Sequence, residues 1–449
     1  MRQECLGYRN EWDLIFRDQT DQTIKRSRKM GIKSTAQGLS APARSLSPNA
    51  DEMGVNYFIR NFVNGQSSSR GCLNYVPSVY RDNDEHPTLV TSMAAVGLVA
   101  LANSTRQPDL ANLARAKYTQ AIRNVNLALK SPVESIKDST LMSVISLGVF
   151  EHVSEHESWV RHVEGAAALV VARGKGQFTS TATILMLNQV RADLVLACVH
   201  NGKPFPKDMI ELQEEAAKHV DASGAFWLLG TLGTRCADLL MGVRVTTRQN
   251  DWPEYLEEAT MMEREFQKIV VLLAAQEPYT ITQNACEVPG LIYNGRVGLY
   301  KDTWAIRVWN NLRNLQMIVY EIILYLVKKI LVTDLTLTST VRQSLNLKLQ
   351  MAMHALSILG DDILATVPQA LELPFSAFDT TSVDLSFHGS VSGGYILTWC
   401  LYMVGKCPAT ESETKKWIIQ RLQVIGRNMG ISIALRLVDD IVKIDQIAD

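Results

Sequence analysis

Three of the chain's eight histidines fall between residues 150 and 174, interleaved with Glu151, Glu155, Glu157 and Glu164. His152, Glu155 and His156 spell H-x-x-E-H, the inverted signature of a zinc hydrolase. That chemistry needs both histidines on one continuous helix, one turn apart, facing a shared zinc, with the glutamate placed to activate the metal-bound water. The elements that must position them argue otherwise. Ser154-Glu155-His156-Glu157 is a capping box, so a helix is expected to start after Ser154 and His152 to close the preceding one. The motif then straddles a turn, and no second cluster supplies a further ligand. Zinc hydrolysis by His152, Glu155 and His156 is kept as the lesser alternative.

Downstream, Trp159, Val163, Ala166 and Val170 form an apolar stripe at steps of four, three and four. His162 lies beside that stripe and reads as a hydrogen-bonded core residue. Gly165-Ala166-Ala167-Ala168 removes side-chain bulk over a full turn, which predicts close approach of a neighbouring helix. Gly174 after Arg173 marks the stop. Gly174-Lys175-Gly176 lacks the spacing of a phosphate loop. Gly389-Ser390-Val391-Ser392-Gly393 misses the nucleophile elbow by one position and follows no strand signal. Asp361-Asp362 and Asp439-Asp440 are adjacent pairs, which diverge by about 100° on a helix and make no carboxylate dyad. The residues therefore support no enzyme.

The 449 residues are 47% hydrophobic and 20% charged, so the chain can bury a core and is not a disordered one. A net charge of -1 gives no global attraction for nucleic acid or anionic membrane. Any such attraction is local, and one basic run exists: Lys25, Arg26, Arg28, Lys29 and Lys33. The seven cysteines, Cys5, Cys72, Cys198, Cys236, Cys286, Cys400 and Cys407, include no C-x-x-C, which argues against a disulfide framework or a complete cysteine metal site. The N-terminus has no apolar secretory core. The apolar stretch 317 to 332 carries Glu321, Lys328 and Lys329, which favours a buried helix over a membrane span. An intracellular protein without membrane partners is expected.

Residues 34 to 50 are rich in Ser, Ala and Pro without apolar periodicity, the composition of a linker. The reading is therefore 1–24 as a mixed segment, 25–50 as a basic then Ser/Pro/Ala-rich linker, and 51–449 as a helical body. Leu110, Ala114, Tyr118, Ala121, Ile122, Val125 and Leu129 trace one face of a helix over 107 to 130. Ser131-Pro132-Val133-Glu134 predicts a helix start at 132, and Thr410-Glu411-Ser412-Glu413 one that runs to about Asn428. The stretches 276–297 and 366–392 read as long loops. The fold class is all-α: an extended array or bundle of about a dozen helices with a disordered N-terminal arm.

Trp159-x-x-His162-x-x-Gly165-Ala166, followed by Leu169 and Arg173-Gly174, resembles the central signature of the fungal-specific transcription factor regulatory domain. Two further segments resemble the same family in the same order. The C-terminal pair, 393–408 and 415–434, matches at Trp399, Leu401, Trp417, Leu422, Ile425, Gly426, Gly430, Ile431 and Ala434. The N-terminal QECLGYRNEWDLIFRDQ is similar to the sequence leaving the family's binuclear zinc cluster, with Cys5 in the place of the sixth cluster cysteine. In that family six cysteines hold two zinc ions and present a helix to the DNA major groove.

The resemblance implies a transcription regulator of the fungal zinc-cluster family, acting on RNA polymerase II transcription in the nucleus. With Cys5 as a lone cluster ligand, the cluster is expected to be incomplete in this chain, because six thiolates are needed to fold around the metal. It implies no cofactor here, although intact members carry zinc. DNA is a partner of intact members, and specific recognition by this chain is not expected. Transcriptional partner proteins, an intact relative, or a second copy in a homodimer are the expected partners. The basic run Lys25 to Lys33 would serve nuclear import ahead of phosphate contact. A cluster-less helical interaction protein is the alternative. An effector pocket between helices is a further route of action.

Overall fold

Helix α4 (Pro108–Leu129) follows the predicted face: Ala114, Ala121 and Val125 are buried and Tyr118 half-buried, with Pro108 in its first turn where a missing N–H costs nothing. The computed structural model describes residues 49–67, 70–82, 86–154, 158–283, 291–371 and 391–448. They belong to the compact unit Pro48–Asp449. The remaining elements in order are α1 (Ala50–Phe62), β1 (Asn64–Ser67), β2 (Arg70–Cys72), α2 (Val76–Asp82), α3 (Pro87–Thr105), α5 (Asp138–Ser154), α6 (Trp159–Ala172), α7 (Thr181–Asn201), α8 (Lys207–Ala216), α9 (Ala225–Val245) and α10 (Trp252–Gln276). The chain continues through β3 (Thr280–Thr282), β4 (Val297–Leu299), α11 (Thr303–Thr333), α12 (Ser339–Leu364), α13 (Val367–Ala370), α14 (Val391–Lys406), α15 (Ser412–Asn428) and α16 (Ile433–Ala448). The fold is all-α, and the only sheets among the described residues are two antiparallel ribbons, β1–β2 and β3–β4.

Side-chain caps fix several helix starts. Asp302 accepts from the Ala305 N–H at 2.8 Å to open α11, Ser180 from Thr183 at 3.3 Å to open α7, and Thr338 from Val341 at 3.3 Å to open α12. Helix α11 is the axis of the C-terminal half, with Ile306, Leu312, Met317, Ile323 and Leu326 all buried. This confirms 317 to 332 as a core helix: Lys328 and Lys329 reach solvent, while Glu321 pairs at 4.0 Å with Lys406. Helices α3 and α7 are long and apolar enough to cross a membrane by composition, yet 72% and 56% of those windows are buried inside the protein, as in core helices.

The capping boxes need correction. Ser131 does accept from the Glu134 N–H at 3.3 Å, but residues 131–137 form a turn and the helix begins at Asp138. The reason is the Glu134 carboxylate: Lys137 holds one oxygen at 2.6 Å and His86 the other at 3.3 Å, so it is not free to reach back to Ser131. Ser154 is the last residue of α5, and Ser158 stands at the start of α6. Thr410 donates to the Val404 carbonyl at 2.7 Å, closing α14 and leaving Glu411 as the cap of α15, which spans the predicted range. The presumed loops are also partly ordered elements: β3 lies within 276–297, and α13 and the first two residues of α14 within 366–392.

The small-residue turn in α6 lies against α5, with Ala166 and Ala167 buried and a Cβ on Gly148 of α5 placed 3.6 Å from the His162 Cβ of α6. A Cβ on Gly165 would meet only Val144, at an ordinary 3.9 Å. A tighter, backbone-to-backbone approach lies at Gly54 of α1 and Gly97 of α3, where a Cβ on Gly97 would stand 1.8 Å from the Gly54 carbonyl oxygen.

Candidate ligand cavity

His152 lies in the last turn of α5, as the sequence implied, and is 5% exposed. Its ring centroid is 5.0 Å from Trp159, 5.8 Å from Tyr395 and 6.2 Å from Trp399, and its Nδ1 is 3.1 Å from the Tyr395 hydroxyl. Trp159 and Trp399, 240 positions apart in sequence, are 5.6 Å apart. Two of the signature segments thus converge on one aromatic cluster joining α5, α6 and α14. His162 is hydrogen-bonded as expected, its Nε2 2.9 Å from the Tyr118 hydroxyl, which itself donates to the buried Glu151. Arg173 pairs with Asp138, and Gly174 takes the left-handed φ of +70° that ends α6. The Trp417 ring lies 5.3 Å from Tyr293, tilted by 54°, and Gly426 packs on Leu435. Gly430, with φ +76°, turns α15 into α16. Glu155, His156, Cys5 and Lys25, Arg26, Arg28, Lys29 and Lys33 lie outside the described residues.

Beside the aromatic cluster a cavity of about 190 Å³ opens between α7, α9, α11 and α14. Val195, Leu196, Val199, Leu229, Ile318 and Trp399 give it apolar walls. Its polar face comes from α7 and α11. Arg307 donates to the Gln189 side-chain oxygen at 2.9 Å, and the Gln189 amide donates to both oxygens of Asp193 at 2.9 and 2.8 Å. Burial pushes the Asp193 carboxyl up to about 6, against the Gln189 hydrogen bonds and the Arg307 charge, which pull the other way. Arg191, 3% exposed, donates to the Gln213 oxygen at 3.0 Å and lies 4.5 Å over the Trp227 ring. Its guanidinium occupies the space a Gly230 side chain would fill, since a Cβ there would be 2.0 Å from it. Asn188 Oδ1, Asn314 Oδ1 and His152 Nε2 are buried around the cavity without a hydrogen-bond partner among the described residues. Such groups are costly unless something satisfies them.

The described residues do not suit zinc. No group of three or more His, Cys, Asp or Glu side chains among them could hold a metal. Burial also pushes the thiols of Cys198 and Cys400 up to about 11 and that of Cys236 to about 12, the reverse of what a thiolate ligand requires.

Burial brings His152 down to about 4, so it is neutral in the folded protein at pH 7. Between its unfolded value of 6.5 and 4, the unfolded chain binds the extra proton, so the stability it contributes above pH 6.5 is lost as pH falls through 4. Asp193 acts in the opposite sense: its folded carboxyl holds a proton between 3.8 and about 6, so its contribution is lost as pH rises through 6. Replacing His152 with Gln removes only the first effect. Urea unfolding from pH 7 to pH 4 should show H152Q losing roughly 3 kcal/mol less than wild type; parallel curves would show that His152 titrates normally.

Sequence reasoning missed Arg191, Asp193, Arg307 and their amides. The signal was present: Asn188-Gln189-x-Arg191-x-Asp193 breaks an otherwise apolar helix, and Arg307, Asn310, Asn311, Arg313 and Asn314 do the same in α11. Helix α7 and His152 supply one side of the cavity, within a segment that the comparisons identify. Residues 53–204 match the fungal specific transcription factor domain. The match covers about a third of the chain, from α1 to the end of α7, and the walls from α9, α11 and α14 lie beyond it. It supports a role in transcription regulation of a fungal-specific kind. Neither the curated proteins nor the solved structures give a match.

Proposed function

We propose that this chain regulates RNA polymerase II transcription in the nucleus, and that its helical body is an effector-responsive regulatory region. The carrying observation is that the segment matching the transcription factor domain builds one wall of a cavity whose other walls come from the C-terminal helices. Such a cavity lets a small molecule bias how the two parts pack, which is how a binding event reaches a distant surface. The resemblance of the segments around Cys5, Trp159 and Trp399 to the zinc-cluster family supports a nuclear setting, with the basic run Lys25 to Lys33 as import signal. Partners in this reading are transcriptional proteins or a relative of the same family.

The reading is tested by fusing the full chain to a heterologous DNA-binding module upstream of a reporter in fungal cells. A several-fold change in reporter output, up or down, is expected relative to the module alone. Unchanged output at confirmed nuclear expression contradicts it.

A further inference from the structure

We propose that the cavity binds an amphipathic organic acid, its carboxylate on the Arg191 guanidinium and its apolar body along Val195, Val199, Leu229, Ile318 and Trp399. This deepens the effector reading and rests on it for its biological meaning.

The charges on the cavity wall do not balance. Its charged side chains are Arg191, Arg307 and Asp193. Arg307 and Asp193 are joined through Gln189, which leaves Arg191 over. No carboxylate lies within ion-pair distance of Arg191 among the described residues; its neighbours are the neutral Gln213 amide and the Trp227 ring. Burial alone accounts for the drop of its pKa to about 10, still far above neutral, so the guanidinium stays charged. A buried cation with only neutral partners is expensive, and an arginine fork fits a carboxylate in two parallel hydrogen bonds. Gly230, by lacking a side chain, makes the room in which the guanidinium itself sits against the cavity. Asn188 and His152 add unpartnered polar atoms at the same wall, suited to a hydroxyl or carbonyl on the acid. The rest of the lining is apolar, as in ligand sites that orient an apolar body with few polar groups. Ala192 is exposed at the lining and marks a route to solvent.

Sodium octanoate, octan-1-ol and octylammonium, sharing one chain length, serve as probes of the purified full chain, read by calorimetry and by the fluorescence of Trp399 and Trp227. Octanoate should bind one to one and at least tenfold tighter than either of the others. Arg191→Met should weaken octanoate at least tenfold and leave octan-1-ol unchanged, whereas Arg191→Lys keeps most of the preference. Should Arg191→Met fail to fold, Ala192→Trp, which leaves the guanidinium in place and blocks the opening, should abolish octanoate binding. Octanoate no tighter than octan-1-ol, or an Arg191→Met protein binding octanoate like wild type, overturns the proposal. These outcomes are independent of the reporter assay, so failure of the ligand class and failure of the regulator reading are told apart.

Discussion

Gly97→Ala should destabilise the protein by about 4 kcal/mol or prevent its accumulation, although alanine is the better helix former by about 1 kcal/mol. The added Cβ would stand 1.8 Å from the Gly54 carbonyl oxygen, 2.6 Å from its carbon and 3.0 Å from the Phe58 nitrogen. All three are backbone atoms, so no rotamer change relieves the clash and α1 must move off α3. Around that contact Phe58, Phe62, Met93 and Leu98 are at most 1% exposed, and a shift of the whole helix opens gaps along their seam. Gly176→Ala is the control: nothing lies within 4 Å of its Cβ position, and its melting temperature should not move. Urea unfolding and soluble yield of both variants check the pair, and equal stability would place the close approach elsewhere.

Asn103→Ala should cost about 3 kcal/mol from a single polar side chain. Its amide donates at 2.9 Å to the carbonyl of Val153 at the end of α5 and at 2.9 Å to that of Gly430 in the turn before α16, and it lies 3.3 Å from the Ser432 hydroxyl. The Ser432 N–H also donates to Val153 at 3.2 Å. Gly430 can take part because its φ is +76° and because a side chain there would meet the Ala100 carbonyl oxygen at 2.8 Å. Truncation strands the Gly430 carbonyl in the packed junction of three helices and leaves the Val153 carbonyl with the Ser432 N–H alone, which costs desolvation as well as the hydrogen bonds. Since Asn103 belongs to the matched segment and Gly430 does not, hydrogen exchange should accelerate at residues 430–433 more than within α4. Uniform change across the chain would show that the clasp is not local.

Elements with strong periodicity were legible in the sequence: α4, α11, α15 and the glycine break at 430. Boundaries resting on a capping box were not, because a box states that Glu134 can reach back and not that Lys137 and His86 leave it free to do so. Likewise Gly165-Ala166-Ala167-Ala168 and the run around Gly97 look alike as strings, and only packing decides which small residue faces a backbone. Trp159 and Trp399 were found through resemblance, while their meeting at 5.6 Å depends on contacts between distant segments. The cavity was least legible, since Arg191 and Arg307 gain significance only when α7 and α11 face each other across it. A polar run inside an apolar helix was the available sign.

The central claim, that this helical body regulates transcription through the cavity, is tested most directly by the tethered reporter with and without an open cavity. Wild type and Ala192→Trp, matched for abundance and nuclear level, are compared. The account predicts that the tethered wild-type chain changes reporter output several-fold and that Ala192→Trp shifts that output markedly, because the blocked cavity no longer exchanges its ligand. Identical output from the two chains, or no effect of the tethered wild type, would contradict it.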